Sequence, residues 1–492
     1  MLSAIHIVGV VFTVAILVAV GILSGRKVKD AKSFAAGGNN GSWLVCGTIL
    51  GTLVGGQSTI GTAQLAFSFG LSAWWFTLGA AIGAVLLGMV YAGPLRRSGC
   101  TTLMEVVRAE FGPKAEAVGS MLFLVGIFIS IVSQQLSSAA LLGSLFGLPM
   151  AAALAVGVVL IGLLVCVGGI KSAGAGGIVK LVLLYVSSVV AGVLVWRLGN
   201  GINGLWGSVD TIYQSPTLRS LGAMESAADV HSRYSSFLAR GPLKDLGGCL
   251  SLALGVVCTQ TYAQAILSAA TTRKARRGAL YCAALIPLIG AASTLVGLYM
   301  RGHYVTAAEA AAVGAAGEAL PAGVGVIADS LQAFPVFVLR HMPAWFGGIV
   351  LGTLVVNILG SGSGLVLGAS TVVVRDVLRM GDSRRELLAT RVTIMALLVL
   401  SAVVASFAAG TFINDLGYLS LGLRAVALLL PLAAALWLPG CFGQRAVVAA
   451  MVAGVAAMLI ASLLRLPADA LYYGLAVSAV ILLPSWKRPN KK

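Results

Sequence analysis

The chain has 492 residues, 59% of them hydrophobic and only 10% charged, whereas a soluble domain carries about 25% charged residues. Together with a mean hydropathy of +0.98, this excludes a water-soluble globular protein and points to an all-α polytopic membrane protein. A formal net charge of +17 would suggest a nucleic-acid partner in a soluble chain, but here it reads as loops biased toward the cytoplasm.

Apolar stretches long enough to cross a bilayer, about 20 residues each, predict thirteen spans in chain order. They lie near 4–24, 43–67, 71–94, 118–143, 148–169, 171–196, 246–271, 279–300, 345–374, 389–409, 417–437, 446–464 and 468–485. The first is not a signal peptide, because no Lys or Arg precedes it and no small-residue cleavage site follows. Its basic residues, Arg26, Lys27, Lys29 and Lys32, come afterwards, which places the N-terminus outside.

Every second connection is then cytoplasmic, and the basic clusters agree. Arg96, Arg97, Arg108 and Lys114 fall inside, as do Arg273, Lys274, Arg276 and Arg277, then Arg375, Arg379, Arg384 and Arg385. The C-terminal tail, with Lys487, Arg488, Lys491 and Lys492, closes the pattern on the cytoplasmic side. By this topology 23 basic residues and seven acids face the cytoplasm, and eight basic and nine acidic residues face outward. The remaining two cations, Lys180 and Arg424, lie within spans. One missed or added span would put half of the clusters on the wrong face.

Five parts follow. Residues 1–42 form an extra N-terminal helix and a cytoplasmic loop, and 43–196 a first group of five spans. Residues 197–245 form an external loop, and 246–437 a second five-span group with its own external loop at 301–344. Residues 438–492 supply two last spans and the tail. The loop at 301–344, rich in Ala and Gly around 307–325, is expected to hold short helices over the external mouth. The odd, scattered cysteines (46, 100, 166, 249, 258, 282 and 441) argue against a disulfide framework. The histidines (6, 231, 303 and 341) read as structural, at or outside span ends. No nucleophile elbow, phosphate loop or HExxH is present, so no enzyme and no organic cofactor is expected. Trp74, Trp75 and Trp345 lie near span ends, where aromatic residues anchor at the interface.

Three spans are unusually polar. The first, around 51–61 (GTLVGGQSTIG), carries four glycines and several hydroxyls. Each Gly lowers helix stability by about 1 kcal/mol relative to Ala, and unwound backbone is tolerated at membrane depth only beside protein or a wet cavity. A broken helix whose free carbonyls bind an ion is one reading; close packing through small residues is the other. The second, at 258–264 (CTQTYAQ), opens the second five-span group as the first polar span opens the first. Corresponding interruptions in two halves mark a transporter's central site, and an odd number of spans per half requires the second to be inverted. The third is 357–363 (NILGSGS), whose oxygens suit a small hard cation or, alternatively, serve helix packing.

These residues resemble the sodium:solute symporter family. Residues 25–38 (GRKVKDAKSFAAGG) look like its first loop, and 54–63 (VGGQSTIGTA) like its broken first core helix. Gln264 and Ala269-Ala270, followed by the basic loop at 273–277, resemble the segment after the second broken helix. Residues 357–376, ending in VRD, resemble its serine-containing helix, and 422–425 (GLRA) with Pro431 its last core helix. The resemblance covers nearly the whole chain. It implies a sodium ion held by carbonyls of Gly51, Val54 and Asn357 and by the hydroxyl of Ser361. Where the family often has two adjacent serines, this chain has Gly360 and Ser361, so one hydroxyl is missing and Gly360 offers at most a backbone oxygen. The Thr-Asp pair that many members use for a second sodium is absent from 174–180 (GAGGIVK). Lys180 stands there as a possible charge substitute for that second ion.

Solute contacts are expected from Gln57, Ser58 and Thr59 on the first broken helix and from Thr259, Gln260, Thr261 and Gln264 on the second. Gln134 and Gln135 sit mid-span among Ser130, Ser133, Ser137 and Ser138; packing between helices is the competing role for each. No Asp or Glu lies in the middle of a span, which favours sodium coupling through neutral oxygens over a buried carboxylate relay. Arg424 suits a carboxylate, which a guanidinium grips with two parallel hydrogen bonds. The expected function is sodium-coupled import of a small organic solute, such as a monocarboxylate, by alternating access in the plasma (bacterial inner) membrane. A sodium-independent exchanger with Lys180 replacing a cation, or a transporter-like membrane sensor, are the alternatives. Partners are the solute and the lipid bilayer, with no obligate protein partner evident.

Overall fold

The apolar runs fold as helices, because a helix satisfies its main-chain N–H and C=O groups internally where no water is available. The computed structural model describes residues 3–25, 40–168, 176–377, 383–408 and 410–486. The basic residues Arg26, Lys27, Lys29, Lys32, Arg379 and those of the tail lie outside the described residues, as does most of the loop-like stretch 25–38.

The chain runs α1 (Ala4–Gly25), α2 (Ser42–Leu53), a π-helical turn (Gln57–Gly61), α3 (Thr62–Phe69), α4 (Trp75–Leu86) and α5 (Ala92–Arg97). It continues through α6 (Leu103–Phe111), α7 (Pro113–Phe146), α8 (Met150–Gly168) and α9 (Gly176–Leu198). Then come α10 (Gly201–Ile212), α11 (Pro216–Leu221), α12 (Ala227–Ser235), α13 (Pro242–Val257), α14 (Gln260–Leu267) and α15 (Thr272–His303). The last part comprises β1 (Tyr304–Thr306), α16 (Ala307–Ala315), β2 (Gly325–Ile327), α17 (Ala333–His341), α18 (Ala344–Thr371), α19 (Ser383–Phe407), α20 (Ile413–Trp437), α21 (Gln444–Leu463) and α22 (Ala470–Leu482).

Among the described residues eight helices are long and apolar enough to cross a membrane, or nine if the pair α13 and α14, bent by 46°, is one span. Four further apolar helices are shorter: Ala4–Ile16, Ser42–Leu53, Met150–Leu163 and Ala470–Ser485. Each falls inside an expected span to within one residue. Among the described residues, length and composition by themselves establish eight or nine of the thirteen expected crossings.

Both expected breaks are present. At the first, α2 stops at Leu53 because Val54 is extended (φ −87°, ψ 105°) and its N–H closes the last turn on Leu50 O. At the second, α13 gives way at Cys258 and Thr259, the latter extended at φ −99°, ψ 121°. Glycines then let the surrounding helices close on the broken ones. A Cβ on Gly297 of α15 would lie 2.4 Å from the carbonyl oxygen of Ala63, and one on Gly255 of α13 would lie 2.5 Å from Leu421 Cβ on α20. Long α7 runs beside α20 and the polar helix α18 and touches the π-helical turn at the first break.

Both long connections carry short helices, α10–α12 in the first and α16 and α17 in the second, and β1 and β2 pair in parallel. Arg301, 3% exposed at its side chain, anchors this layer through Glu309 at 2.9 Å and Tyr213 Oη at 2.5 Å. Trp74 and Trp75 turn out to brace the chain: their indoles donate to the carbonyls of Pro287 at 2.9 Å and Phe237 at 2.6 Å. Trp345 is largely exposed, as an interfacial residue would be.

Candidate cation and solute site

The first break exposes the C-terminal carbonyls of α2. With Val54 extended and only Leu50 O closed by its N–H, Gly51 O lies at the negative end of a truncated helix and attracts a cation. The cation that meets it belongs to the chain. Lys180, one turn into α9 and 6% exposed, donates from Nζ to Gly51 O at 2.9 Å and to Ser361 Oγ on α18 at 3.0 Å. A Cβ built on Gly360 would meet a single neighbour, Lys180 Nζ at 3.9 Å. The missing second hydroxyl therefore falls beside the ammonium.

The Lys180 ammonium lies on two of the atoms that the resemblance assigns to the first sodium. Val54 is fully buried at the break, and Asn357 is fully buried with both side-chain amide atoms lacking a protein partner.

A second buried cation lies on α20. Arg424, 2% exposed and midway along α20, donates from Nη2 to Ser130 Oγ on α7 at 2.6 Å and to Ser420 Oγ at 2.9 Å. Nη1 reaches Thr259 Oγ1, at the second break, at 3.3 Å. The acceptors are oriented for this task. Ser420 donates its proton to Gly126 O at 2.6 Å, Thr259 donates to Gly255 O at 2.7 Å, and Ser130 and Ser420 share a bond of 2.5 Å. Among the described residues Arg424 Nε has no partner, and the guanidinium carbon lies 5.7 Å from the centre of the Phe123 ring.

The contrast with other buried arginines is informative. Arg240 pairs with Asp415 at 2.5 Å and Arg301 with Glu309 at 2.9 Å. Among the described residues no carboxylate pairs with Arg424. An ionised group is held at membrane depth only with partners, and neutral hydroxyls supply dipoles but no countercharge.

The remaining candidates divide. Gln57 donates from Nε2 to Ser133 Oγ at 2.8 Å, and Gln134 Oε1 accepts from Gly56 N at 3.3 Å, so both bind the first break to α7. Ser58 is buried in the same π-helical turn, whereas Thr59 folds its hydroxyl back onto Gly55 O at 3.3 Å. Gln135 is fully buried with both amide atoms unpartnered, and its Oε1 lies against Gly157 of α8. Gln260 is diverted: its Oε1 accepts from Leu103 N at 2.8 Å and caps the start of α6. Thr261 and Gln264 lie on the exposed side of α14 and do not join the buried cluster.

Three further polar residues belong to this region without having been singled out. Ser420 sits four residues before Arg424 and hence on its face of the helix, a spacing visible in the sequence. Gln64 Oε1 accepts from Ile413 N at 3.0 Å, and Asn414 Nδ2 donates to Thr62 Oγ1 at 3.3 Å. That pair joins α3 to the start of α20 and has no local sequence signal.

Two discontinuous helices, packed among long apolar ones and flanked by buried cations, define a multi-pass membrane transporter of the broken-helix type. The sequence model of the sodium:solute symporter family matches residues 33–457, and the chain belongs to that family. Sodium/glucose cotransporter 1 of Sus scrofa is 25% identical over 387 residues, covering 75% of this chain and 57% of that protein. High-affinity choline transporter 1 of Caenorhabditis elegans is 28% identical over 136 residues, covering 25% of this chain and 23% of that protein. The chain thus spans only part of the length of these relatives. A solved Na+-coupled sialic acid symporter, in a substrate-bound outward-open state, superposes with a TM-score of 0.69 at 15% identity, over 98% of this chain and 97% of that one. It shares the fold.

Proposed function

We propose that the protein is a secondary transporter that imports a small organic anion, a monocarboxylate being the simplest, by alternating access between the groups 43–196 and 246–437. The observation that carries the substrate class is Arg424, buried among Ser130, Ser420 and Thr259 with no carboxylate partner and no Nε partner among the described residues. A carboxylate bound there supplies the missing countercharge. Because Arg424 touches Thr259 at the second break and Ser130 on α7, an anion seated on it feels the relative position of three elements. Gln57 and Ser58 complete the polar surface at the first break.

Family membership supports sodium as the coupling ion and the cell membrane as the location, with the N-terminus outside as the basic loops indicate. The sodium-independent alternative is favoured by the bonds from Lys180 to Gly51 and Ser361. The test of the substrate class is uptake by purified protein in liposomes, offered labelled monocarboxylates, sugars and choline separately. Uptake of a monocarboxylate supports the proposal; uptake of sugar or choline with carboxylates ignored overturns it. A sensor would move none of the three.

A further inference from the structure

Gly51 O and Ser361 Oγ are two of the four ligands that the family resemblance assigns to a sodium ion, and the residues around them do not fit one. Lys180 Nζ lies 2.9 Å and 3.0 Å from these atoms, within ordinary charge-assisted hydrogen-bond length. Gly360 replaces the further hydroxyl that would complete an oxygen shell, and a Cβ there would face the ammonium.

We infer that Lys180 is a built-in cation that takes the place of sodium at the α2–α18 junction, so that transport requires no sodium ion there. The inference rests on the reading of the protein as a transporter, but the occupancy it assigns is tested without transport. Three physical points carry it. The ammonium neutralises the carbonyl end of α2, the task a bound ion would otherwise perform. A sodium ion within about 4 Å of it would lose roughly a thousandfold in affinity through repulsion in a medium of effective dielectric near 20. The side chain is held by two acceptors on two different helices, which fixes the ammonium between them.

The consequence for coupling is direct. A diffusible ion enters from one side and leaves on the other, and so carries its gradient into the cycle. A tethered ammonium swings within reach of α9 and is never released. It joins α2, α9 and α18 in each cycle without transferring charge across the membrane, so net movement follows the solute's own gradient or exchange.

The test uses the full-length protein in detergent, with its melting temperature measured in sodium, potassium and N-methylglucamine chloride at equal ionic strength. The wild type is expected to melt alike in all three, and Lys180→Ala, which vacates the pocket, to gain a stabilisation seen in sodium alone. Lys180→Gln, which keeps the bulk and hydrogen bonds without the charge, guards against a collapsed alanine variant. Sodium-specific stabilisation of the wild type that Ser361→Ala removes would overturn the inference. In liposomes, wild-type uptake is expected to change less than about twofold when sodium is replaced by N-methylglucamine. A stronger dependence that Ser361→Ala abolishes would also overturn it. Absence of uptake for every solute would count against the transporter reading while leaving the melting comparison intact.

Discussion

Arg424 on α20 donates to the hydroxyl of Thr259, the residue at which the second discontinuous helix breaks, across 3.3 Å of protein interior. The bond links a buried charge to the extended residue between α13 and α14. A ligand that draws on the guanidinium therefore acts on the break itself.

Arg424→Gln is expected to raise the half-saturating concentration of the transported carboxylate at least about tenfold, the loss of one charge-assisted pair. Arg424→Lys keeps the charge but not the fork, and is expected to fall between. Uptake kinetics in liposomes check this, with unchanged apparent affinity in Arg424→Gln counting against a substrate role. The exposed Gln264 serves as a control, since it lies outside the buried cluster.

Ser361→Ala removes an acceptor from a buried ammonium and leaves Gly51 O as its remaining described partner. A cost of about 1–3 kcal/mol in stability follows. The melting temperature is expected to fall by the same amount in sodium and in potassium, because the lost partner served Lys180.

Gly297→Val tests the packing of α15 on the first discontinuous helix. Its Cβ would lie 2.4 Å from Ala63 O and 2.6 Å from Ala66 Cβ, both on a buried helix that has little room to retreat. Overpacking of this kind costs about 1–3 kcal/mol. Reduced yield of folded protein and a lowered melting temperature are expected, whereas Gly314→Val, where a Cβ meets nothing within 4 Å, is expected to be neutral.

Glu309 supplies a pH dependence. Its burial pushes the carboxyl upward, but the Arg301 charge and the hydrogen bonds from Arg301 and Thr306 outweigh this and hold it below its ordinary 4.5. A carboxyl depressed in the folded state contributes stability that is present above 4.5 and lost as pH falls through the lower, folded value. Glu309→Gln is thus expected to melt below the wild type at pH 7, with the gap closing on acidification beneath pH 4.5. A gap that persists at low pH would assign the effect to packing.

The membrane class, helix positions, both breaks and the polarity of the third span are legible in the sequence. Each rests on local composition over about 20 residues. The roles of the polar residues are less legible. Gln57, Gln260 and Gln264 lie in two equally polar stretches. Gln57 turns inward to Ser133, Gln260 caps α6 through Leu103, and Gln264 faces outward. Rotation about a helix axis decides between these roles, and a bent pair such as α13–α14 changes that rotation partway.

The excess of positive charge shows the same division. Its distribution over the loops, and the isolation of Lys180 and Arg424 within apolar spans, follow from the sequence by itself, because insertion energies act residue by residue along the chain. Which atoms answer those two charges was decided by tertiary structure. Gly51 and Ser361 lie 129 and 181 residues from Lys180, and Ser130 lies 294 from Arg424. Contacts at such separations arise only when helices pack, and packing is what placed a lysine where the family pattern implied an ion.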